Sequence, residues 1–230
     1  MVPTYNEAGN IDALISGLCA LPLDLHVLVV DDNSPDGTGK IVENISKGNN
    51  RVHLLNRVER RGRGWAGIDG FKKALELGAQ YVVEMDGDMS HAPKYVFVLR
   101  EALMTPGCDV SIGSRYVPGG RDEQRSLVRQ LISNFARIYL SLALGVGLKD
   151  PTSGYRMYSR SALETILPCL TARDPFIVSE VLYFLKKNNL KIVEVPIEFM
   201  PRGTGESKLK PVTLIKYLLR VLKLRVIGKA

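Results

Sequence analysis

Short apolar segments rich in β-branched residues alternate with helical patterns through the first half of the chain. Helices are predicted near residues 7–19, 36–47 and 65–79, between apolar strand-like segments. The predicted strands are Leu25–Asp31, Val52–Leu55, Gln80–Met85 and Asp109–Ile112. This alternation is typical of an α/β fold with a mostly parallel, Rossmann-like sheet flanked by helices. Ligands bind such sheets beyond the carboxyl ends of the strands.

The second half has a less regular pattern. It predicts a long helix around 126–147, a short strand near 155–158, helices near 160–168 and 176–188, a strand at 191–198, and a final helix after Pro211. No repeat or linker interrupts the chain, so a single domain over residues 1–230 is expected. A strand normally precedes a turn such as Pro3–Glu7, and only Met1 and Val2 stand before it. The sequence leaves open whether the first strand is truncated.

The chain has a net charge of +7, and the excess basic residues are concentrated in one segment. Residues 201–230 contain eight basic side chains against Glu206 alone, so the excess positive charge belongs to the C-terminal end. A basic end favours an anionic partner, such as a phosphate group or an acidic membrane, although a solvated tail is the alternative.

Cysteine content and hydropathy exclude several classes of protein. Cys19, Cys108 and Cys169 are dispersed, which indicates neither a disulfide framework nor a zinc site and favours a reducing compartment. No signal peptide is evident, and the longest uncharged run, Ile138–Leu148, has 11 residues, well short of the roughly 20 that span a bilayer. We expect a protein that does not cross a membrane by itself.

The strongest local motif is the run from Glu84 to His91, in which an apolar strand ends in Asp86 and Asp88 with Gly87 between them. Two carboxylates so close repel each other unless a cation lies between them. Mg²⁺ and Mn²⁺ prefer oxygen ligands and keep coordination positions for diphosphate oxygens. A polar turn after a strand is the structural alternative to this predicted metal site.

Two further motifs follow predicted strands. After Val29 and Val30 the chain reads Asp31-Asp32-Asn33-Ser34-Pro35-Asp36-Gly37-Thr38, in which we interpret Asp36 as a helix cap and Asp32 as the ligand-facing acid. The loop Arg61-Gly62-Arg63-Gly64 precedes a predicted helix. Its glycines permit close backbone approach, and a helix start favours an anion.

Together these motifs resemble family 2 glycosyltransferases, and within that family the enzymes that transfer mannose to dolichyl (polyprenyl) phosphate. The resemblance runs from Val2 to about Tyr217. It rests on Pro-Thr-Tyr-Asn-Glu, Val-Asp-Asp-x-Ser-x-Asp-Gly-Thr, Met-Asp-Gly-Asp-Met-Ser-His-x-Pro, Gly-Ser-Arg-Tyr, Ser-Gly-Tyr-Arg and Gly-Glu-Ser-Lys. It implies a GT-A fold, a GDP-mannose donor, Mg²⁺ or Mn²⁺, and a polyprenyl phosphate acceptor. The resemblance also divides the chain into three parts. Residues 1–115 are expected to bind the nucleotide sugar, 116–210 to bind the acceptor, and 211–230 to form a helix that contacts a membrane or a partner.

The resemblance also assigns roles to individual positions. It implies a guanosine and ribose pocket formed by Pro3, Tyr5, Glu7, Val30 and Asp32. Asp86 and Asp88 correspond to the metal and diphosphate pair with Gly87 lending backbone, and Ser90 stands where some relatives have a glutamine ligand, so the third metal ligand is open. The basic positions are Arg115 and Arg129 for the acceptor phosphate, and Arg202 and Lys208, besides Arg115, for the donor diphosphate. Of these, Asp88, Arg115 and Arg129 are the predicted catalytic residues.

The inventory of charged residues agrees with a phosphate acceptor. A sugar hydroxyl needs a general base, whereas a phosphate monoester, with its second pKa near ~6, is already an anionic nucleophile at neutral pH. Two phosphate-rich substrates repel each other, which requires cations: a metal ion on the leaving diphosphate and arginines on the acceptor. We therefore expect in-line attack at the anomeric carbon with inversion.

Other functions are left open by the sequence. The same lipid could receive glucose or N-acetylglucosamine from a UDP-sugar, or a glycan hydroxyl could be the acceptor, with Asp174 or Glu180 as base. A non-enzymatic membrane-binding module would use only the basic end. Nucleic-acid binding is disfavoured because Tyr217 is the only aromatic residue among the last 30.

Two segments are candidates for contact with lipid. Residues 126–148 are apolar and form either a core helix or a lipid-facing one. The terminal helix places Lys216, Arg220 and Lys223 at i, i+4 and i+7 among leucines and isoleucines, which is typical of a basic amphipathic helix lying in a membrane interface. Packing against small membrane-anchoring subunits is the alternative. A peripheral location on the cytoplasmic face of a membrane is expected.

Overall fold

The first three strands form a parallel sheet whose central strand is buried on both faces. In the computed structural model, which describes residues 1–122, 127–200 and 211–228 (of 127–132 and 211–215 the backbone alone), β1 (Val2–Thr4) pairs with β2 (Val27–Asp31). β2 pairs in turn with β3 (Val52–Asn56), and both pairings are parallel. Val27 and Val29 face one apolar cluster while Leu28 and Val30 face the other, as expected for a strand covered on both sides.

A second set of strands is mixed in direction. It comprises β4 (Tyr81–Glu84), β5 (Val110–Ser114), β7 (Arg156–Ser159) and β8 (Ile192–Pro196), in the order β4-β7-β5-β8. β7 is antiparallel to both neighbours, whereas β5 and β8 are parallel. The backbone of Met1 hydrogen-bonds Val83 at 2.8 Å and Met85 at 3.2 Å, which brings β1 beside β4. A short parallel pair, β6 (Arg121–Asp122) and β9 (Glu198–Phe199), lies apart from these.

Helices cover the sheet on both faces. They are α1 (Ile11–Cys19), α2 (Thr38–Gly48), α3 (Arg63–Glu76), α4 (Tyr95–Leu103), α5 (Leu127–Leu144), α6 (Arg160–Ile166), α7 (Ile177–Lys187) and α8 (Pro211–Ile227). One apolar cluster collects residues of α1, α2 and α4. The other collects residues of α3, α5, α6, α7 and α8. The α/β class and the helix-flanked, mostly parallel sheet are confirmed, and both clusters contain strands from the two halves of the chain.

The boundaries differ from the predicted ones where local turns intervene. α1 begins at Ile11 rather than near residue 7, because Asn6 has a positive φ of 63° and the carbonyl of Glu7 accepts the amides of Asn10 and Ile11 in a turn. α4 was not predicted, although its buried Val96, Leu99 and Leu103 follow helical spacing. The antiparallel direction of β7 and the β6–β9 pair were also not predicted, since both depend on contacts distant in sequence.

The two candidate lipid-contacting helices pack on each other and on the core. In α5, Leu140 and Leu144 are buried, whereas the other face exposes Phe135, Ile138 and Leu142. The hydroxyl of Tyr139 donates to the carbonyl of Leu218 in α8 at 2.9 Å. The two interpretations of α5 therefore each describe one of its faces.

α8 divides in the same way. Val221 and Leu224 are fully buried, while Leu219, Leu222, Val226 and Ile227 are exposed. Lys216 and Lys223 are exposed, but Arg220 turns towards the body of the protein and pairs with Asp174 at 2.6 Å. The three basic side chains are therefore not equivalent. No helix in the described ranges is long and apolar enough to span a bilayer.

Candidate active site

The carboxyl end of β4 carries the acidic pair. Asp88 is buried, with 7% of its surface exposed, and its Oδ1 accepts the amide N–H of Ser90 at 3.0 Å. The side chain of Asp86 is 41% exposed. Gly87 between them lets the turn after β1 pack closely, because a Cβ at this position would lie 3.1 Å from the Cγ2 of Thr4. The loops after β1 and β4 therefore meet beside the acidic pair.

A buried histidine holds the backbone at Asp86. Nδ1 of His91 accepts the amide N–H of Asp86 at 3.0 Å, which assigns the ring proton of the neutral imidazole to Nε2. The ring stacks on Tyr155 at 4.8 Å and meets Phe199 edge-on at 5.4 Å. Burial lowers the pKa of His91 and outweighs the opposing effect of the nearby carboxylates. His91 is therefore a neutral structural support for the acidic loop.

Arg63, at the start of α3, lies between two acids of β4 and its loop. Its Nη2 donates to Oε1 of Glu84 at 2.7 Å and lies 4.0 Å from Oδ1 of Asp86. The hydroxyl of Tyr158 donates to the other oxygen of Glu84 at 3.1 Å. Burial disfavours the charged guanidinium, but the charges of Glu84 and Asp86 outweigh this effect and raise the pKa of Arg63. Its Nη1 is buried and has no hydrogen-bond partner among the described residues.

The oxygen atoms at this strand end fit a hard divalent cation. Asp86 and Asp88 supply carboxylates, and the hydroxyl of Ser90 is buried without a hydrogen-bond partner in the described part of the chain. Within residues 1–122, 127–200 and 211–228 no group of three His, Cys, Asp or Glu side chains is arranged to hold a metal. Mg²⁺ and Mn²⁺ can complete such a set with water and phosphate oxygens, and the identity of the third protein ligand stays open, with Ser90 at that position.

The acids after β2 are largely used to shape their own loop. Asp31 accepts hydrogen bonds from the hydroxyl of Thr4 at 2.9 Å and from the amide and hydroxyl of Ser34. Asp36 accepts the amide of Thr38, the first residue of α2, at 3.0 Å and the amide of Ala8 at 2.9 Å. The structure thus confirms that Asp36 stabilises the start of α2, although Gly37 occupies the N-cap position. Burial is the largest single influence and raises the pKa of Asp36, but the hydrogen bonds from the hydroxyl of Thr38 and from the amides of Ala8 and Thr38 together outweigh it and hold the pKa below its ordinary value.

Asp32 is buried and bridges two loops. Its Oδ1 pairs with Nη1 of Arg57, which follows β3, and its Oδ2 accepts the amide of Gly62 at 2.7 Å. Arg57 also pairs with Asp69 of α3 at 3.0 Å, and its Nη2 is buried with no partner in the ranges described. Asp32 therefore holds the 57–62 loop against β2. A direct contact of Asp32 with a nucleoside stays a prediction.

The remaining residues of the predicted nucleoside pocket surround the same strand ends. Tyr5 is 45% exposed, and the guanidinium of Arg61 lies 5.7 Å from its ring. Glu7 accepts a hydrogen bond from Asn10 at 2.9 Å, and Pro3 is partly buried in β1. Val30 differs, because its side chain is fully buried in the core beneath α3. Contacts of Pro3, Tyr5 and Glu7 with a nucleoside stay predictions, whereas a ligand contact through the Val30 side chain would require it to leave the core.

The glycines of the Arg61–Gly64 loop make room for the protein's own backbone. A Cβ at Gly64 would lie 2.2 Å from the carbonyl oxygen of Ala172, and one at Gly62, which has a φ of +135°, would lie 2.4 Å from that of Arg173. The amide of Gly64 donates to the Arg173 carbonyl at 3.3 Å. The close backbone approach expected of these glycines is confirmed, and the approaching backbone belongs to the protein itself. They dock the 171–173 segment on the start of α3.

Arg115 is held in a buried ion pair. Its Nε and Nη2 each donate to Asp150 at 2.8 Å, its amide donates to the same carboxylate, and Nη2 also donates to the hydroxyl of Thr152 at 2.7 Å. Nη1 lies 3.8 Å from Asp122. Burial disfavours both charged forms, but the mutual attraction outweighs it, so the pKa of Asp150 is lowered and that of Arg115 is raised. A role of Arg115 in binding a phosphate stays a prediction.

The acidic pair and Arg115 line one continuous region. The Arg115 guanidinium lies 5.1 Å from the ring of Phe199, which packs against His91, and His91 hydrogen-bonds Asp86. The amide of Met200 donates to the carbonyl of Ser90 at 3.1 Å. The acidic pair and Arg115 are therefore connected through these aromatic side chains.

Three of the predicted basic contacts cannot be compared with the structure. Arg129 lies in α5, whose backbone is described there while the side chain is not. Arg202 and Lys208 lie outside the described residues. Their predicted roles stay predictions.

A cavity of about 380 Å³ adjoins the 171–173 segment, with Thr171, Arg173, Asp174 and Arg220 in its lining. Arg220 of α8 pairs with Asp174 at 2.6 Å and packs 4.2 Å from the ring of Phe176. Arg173 and Arg60 both lie over the ring of Trp65, at 5.6 and 4.9 Å. This cavity brings positive charge next to the Arg61–Gly64 loop, and the sequence patterns did not single out Arg173.

The two acids named as possible general bases are both engaged. Glu180 is fully buried and accepts hydrogen bonds from the amide and hydroxyl of Thr171 and from the amide of Ala172, all within 3.0 Å. Asp174 is half exposed and ion-paired with Arg220. Glu180 is therefore a structural residue, and only Asp174 has access to the cavity.

Sequence reasoning missed Arg57, Arg63 and Asp150 as partners in the site. Arg63 stood in a loop that was singled out for its glycines, so a signal was present. Arg57 and Asp150 occupy no motif, and their partners Asp32 and Arg115 lie 25 and 35 positions away in the sequence.

Fold and site together define a class: an α/β protein that gathers its acids and buried arginines at the carboxyl edge of the sheet. Residues 1–167 match the family model "Glycosyl transferase family 2". The chain belongs to glycosyl transferase family 2 and is a glycosyltransferase.

Several characterised proteins are similar to this chain. It is 36% identical to polyprenol monophosphomannose synthase of Mycolicibacterium smegmatis over all of this chain and 87% of that protein. Undecaprenyl-phosphate mannosyltransferase of Micrococcus luteus is 38% identical over 91% of this chain and 86% of its own. Dolichol-phosphate mannosyltransferase of Pyrococcus furiosus is 37% identical over 97% of this chain and 62% of its own length.

Solved structures support the fold. Glucosyl-3-phosphoglycerate synthase from Mycobacterium tuberculosis, in complex with Mn²⁺, UDP-glucose and phosphoglyceric acid, superposes with a TM-score of 0.71 at 20% identity. The match covers all of this chain and 79% of that one. The GT-A fold expected from the sequence is confirmed.

Proposed function

We propose that this chain transfers mannose from GDP-mannose to a polyprenyl (dolichyl) phosphate, with inversion at the anomeric carbon. An oxygen of the acceptor phosphate attacks that carbon, the bond to the donor diphosphate breaks, and GDP leaves. Three relatives at 36–38% identity are named for mannose transfer to polyprenol-type lipid phosphates, which supports this substrate class.

The donor side of the proposed reaction uses the loops after β1, β2 and β4. Tyr5, Glu7 and Asp32 surround the nucleoside, and Asp86 and Asp88 hold a divalent ion, Mg²⁺ or Mn²⁺, against the diphosphate. When bound, this ion supplies charge neutralisation on the departing diphosphate. Arg202 and Lys208 provide further positive charge to the same group. The carboxylate geometry and the buried hydroxyl of Ser90 support this assignment.

The acceptor side must bind a second phosphate next to the first. Arg115 and Arg129 are proposed to hold the acceptor phosphate, and Arg173 lies at the rim of the neighbouring cavity. Arginine binds phosphate through a planar pair of N–H groups, which favours orientation as well as attraction. Positive charge on both sides offsets the repulsion between the two substrates.

The observation that best supports a phosphate acceptor is that both candidate bases are already engaged in hydrogen bonds or an ion pair. Glu180 is buried and its oxygens are hydrogen-bonded, and Asp174 is ion-paired with Arg220. A hydroxyl acceptor would require one of them to remove a proton. A phosphate monoester with a second pKa near ~6 requires none at neutral pH.

The lipid portion of the acceptor is proposed to reach the site from a membrane surface. α5 exposes Phe135, Ile138 and Leu142, and the adjoining α8 exposes Leu222 and Lys223 among other apolar and basic residues. Apolar side chains bordered by lysines favour the interface of an anionic bilayer. A peripheral position on the cytoplasmic face follows, and small membrane-anchoring subunits are the alternative partners of the same surface.

The test is a matrix of donors and acceptors. The full chain is given labelled GDP-mannose, UDP-glucose or UDP-N-acetylglucosamine, with a polyprenyl phosphate and Mg²⁺ or Mn²⁺. Label should enter the organic phase from GDP-mannose alone. The unphosphorylated polyprenol is the matched control and should receive none. Transfer from a UDP-sugar would overturn the donor assignment, and transfer to the free polyprenol would overturn the phosphate acceptor.

A further inference from the structure

We infer that Arg63 and Glu84 form a charge-setting pair behind the acidic loop, in which Glu84 retains Arg63 and thereby limits the repulsion between Arg63 and a divalent cation bound at Asp86. Both residues act as positioning residues through Asp86. The inference rests on the metal site of the proposed function and adds two side chains to it.

The geometry shows that Arg63 favours Glu84 over Asp86. Its Nη2 is 2.7 Å from Glu84 and 4.0 Å from Asp86. The side chain of Glu84 is 5% exposed, compared with 41% for Asp86. An ion pair with direct hydrogen bonds in buried surroundings is stronger than a longer, hydrated one. Asp86 therefore loses the competition for Arg63 while Glu84 is ionised and in place.

Two other residues build the site for this pair. Tyr158 in β7 donates its hydroxyl to Oε2 of Glu84 at 3.1 Å, which fixes the carboxylate with Oε1 towards Arg63. Burial raises the pKa of Tyr158, so the hydroxyl stays protonated. Gly67 in α3 provides space, because a Cβ there would lie 3.4 Å from Nη1 of Arg63 and 3.8 Å from Oε1 of Glu84. Three elements, α3, β4 and β7, thus converge on one ion pair.

The pair controls the local charge. Glu84, Asp86 and Asp88 lie within five positions of one another. The guanidinium of Arg63 places a positive charge 4.0 Å from Asp86. Without the Glu84 charge, the guanidinium would turn to Asp86 and repel a bound metal ion. Without Arg63, that repulsion would disappear. The two single substitutions should therefore shift metal affinity in opposite directions.

The experiment measures Mn²⁺ binding to the full chain in the presence of GDP, by calorimetric titration or by the electron paramagnetic resonance signal of free Mn²⁺. Glu84→Gln should weaken Mn²⁺ binding about tenfold, and Arg63→Gln should leave it equal or strengthen it. The double variant should return close to the unaltered protein. Tyr158→Phe, a milder change, should weaken binding about twofold to threefold by loosening Glu84.

Controls separate this inference from simple loss of structure. Lys40→Gln with Glu43→Gln removes an exposed ion pair at 2.8 Å and should not change Mn²⁺ affinity. Thermal unfolding identifies variants that fail to fold, and the Tyr158→Phe and double variants still test the pair in that case. Shifts of both single variants in the same direction, or no shift in either, would overturn the inference. A protein that binds GDP but no Mn²⁺ would instead overturn the metal site, and the pair's role with it.

Discussion

The predicted donor and acceptor sides differ in how completely their buried polar groups are hydrogen-bonded. On the donor side, three atoms, Arg57 Nη2, Arg63 Nη1 and Ser90 Oγ, are buried without a hydrogen-bond partner among the described residues. On the acceptor side, Arg137 Nε of α5 is the one such atom in the same ranges, and the Asp150 carboxylate accepts hydrogen bonds from N–H groups of Arg115 and from the hydroxyl of Thr152.

This difference separates binding surface from scaffold. A buried donor or acceptor without a partner costs free energy, so proteins retain such atoms mainly where a ligand, ion or water completes them. The unpaired buried atoms on the proposed donor side are therefore candidates for hydrogen bonds with a substrate, an ion or water. The Arg115–Asp150 pair has the character of a fixed support, whose guanidinium keeps only Nη1 outside the pair.

The largest expected effect is on the donor side. Asp88→Asn removes one carboxylate of the proposed metal site and should lower mannosyl transfer by about 10³-fold or more. Transfer of label from GDP-mannose measures it. Asp12→Asn, an exposed acid of α1, is the matched control and should retain activity. Transfer by Asp88→Asn at the rate of the unaltered protein would discredit the acidic pair as a metal site.

The Arg115–Asp150 ion pair is expected to affect the free energy of unfolding. Asp150→Asn removes the nearer counter-charge of the buried Arg115 and leaves Asp122 at 3.8 Å, so it should lower the free energy of unfolding by about 3 kcal/mol at pH 7. The control Asp24→Asn changes an exposed acid. Urea unfolding at pH 7 measures both variants.

The pH dependence of the same variant follows from the lowered pKa of Asp150. A carboxylate with a lowered folded-state pKa stabilises the protein above its unfolded value of about 3.8, and this contribution is lost as pH falls through the folded-state pKa. The difference between Asp150→Asn and the unaltered protein should therefore narrow below about pH 4. A constant difference from pH 7 to pH 3 would contradict the ion pair.

A smaller effect is expected at the predicted acceptor contact in α5. Arg129→Ala should raise the KM for polyprenyl phosphate about tenfold, because a charge-assisted hydrogen bond to phosphate is lost. The affinity for GDP should not change. Lys186→Ala, an exposed cation of α7, is the control. Weaker GDP binding in Arg129→Ala with an unchanged acceptor KM would move this residue to the donor side.

The smallest effect concerns the surface of α8. Lys223→Ala should weaken binding to anionic lipid vesicles about fivefold, since one lysine near such a surface contributes about 1 kcal/mol. Lys47→Ala, exposed on α2, should not. Co-sedimentation with vesicles at low and physiological salt measures both. Equal losses would indicate non-specific charge attraction rather than a docking face.

The parts of the site that could be predicted from the sequence are those determined by residues close together in the chain. Strand ends followed by acids placed Asp32, Asp86 and Asp88 at one edge of the sheet, since the continuous apolar run of β2 and the turn residues after it are local signals. Asp36 was assigned to the start of α2 on the same basis, and the structure confirms it.

The parts that could not be predicted depend on contacts between distant segments. Three ion pairs are not indicated by any local pattern. They join Arg57 to Asp32, Arg63 to Glu84, and Arg115 to Asp150. The partner of Gly62 and Gly64 is the 171–173 backbone, more than a hundred positions away, which the glycines alone do not reveal. An arginine in a motif therefore indicates a charged site without indicating which of its N–H groups remain for a ligand.

The central claim is that one cleft joins two phosphate-bearing substrates without a general base. The most direct measurement is the rate of mannosyl transfer to polyprenyl phosphate between pH 5 and 8 by Asp174→Asn, beside the unaltered protein. The account predicts that the variant retains transfer within a few-fold, with the same rise through about pH 6 as the acceptor phosphate loses its second proton. A loss of about 10³-fold, or disappearance of that rise, would identify Asp174 as the base and contradict the account.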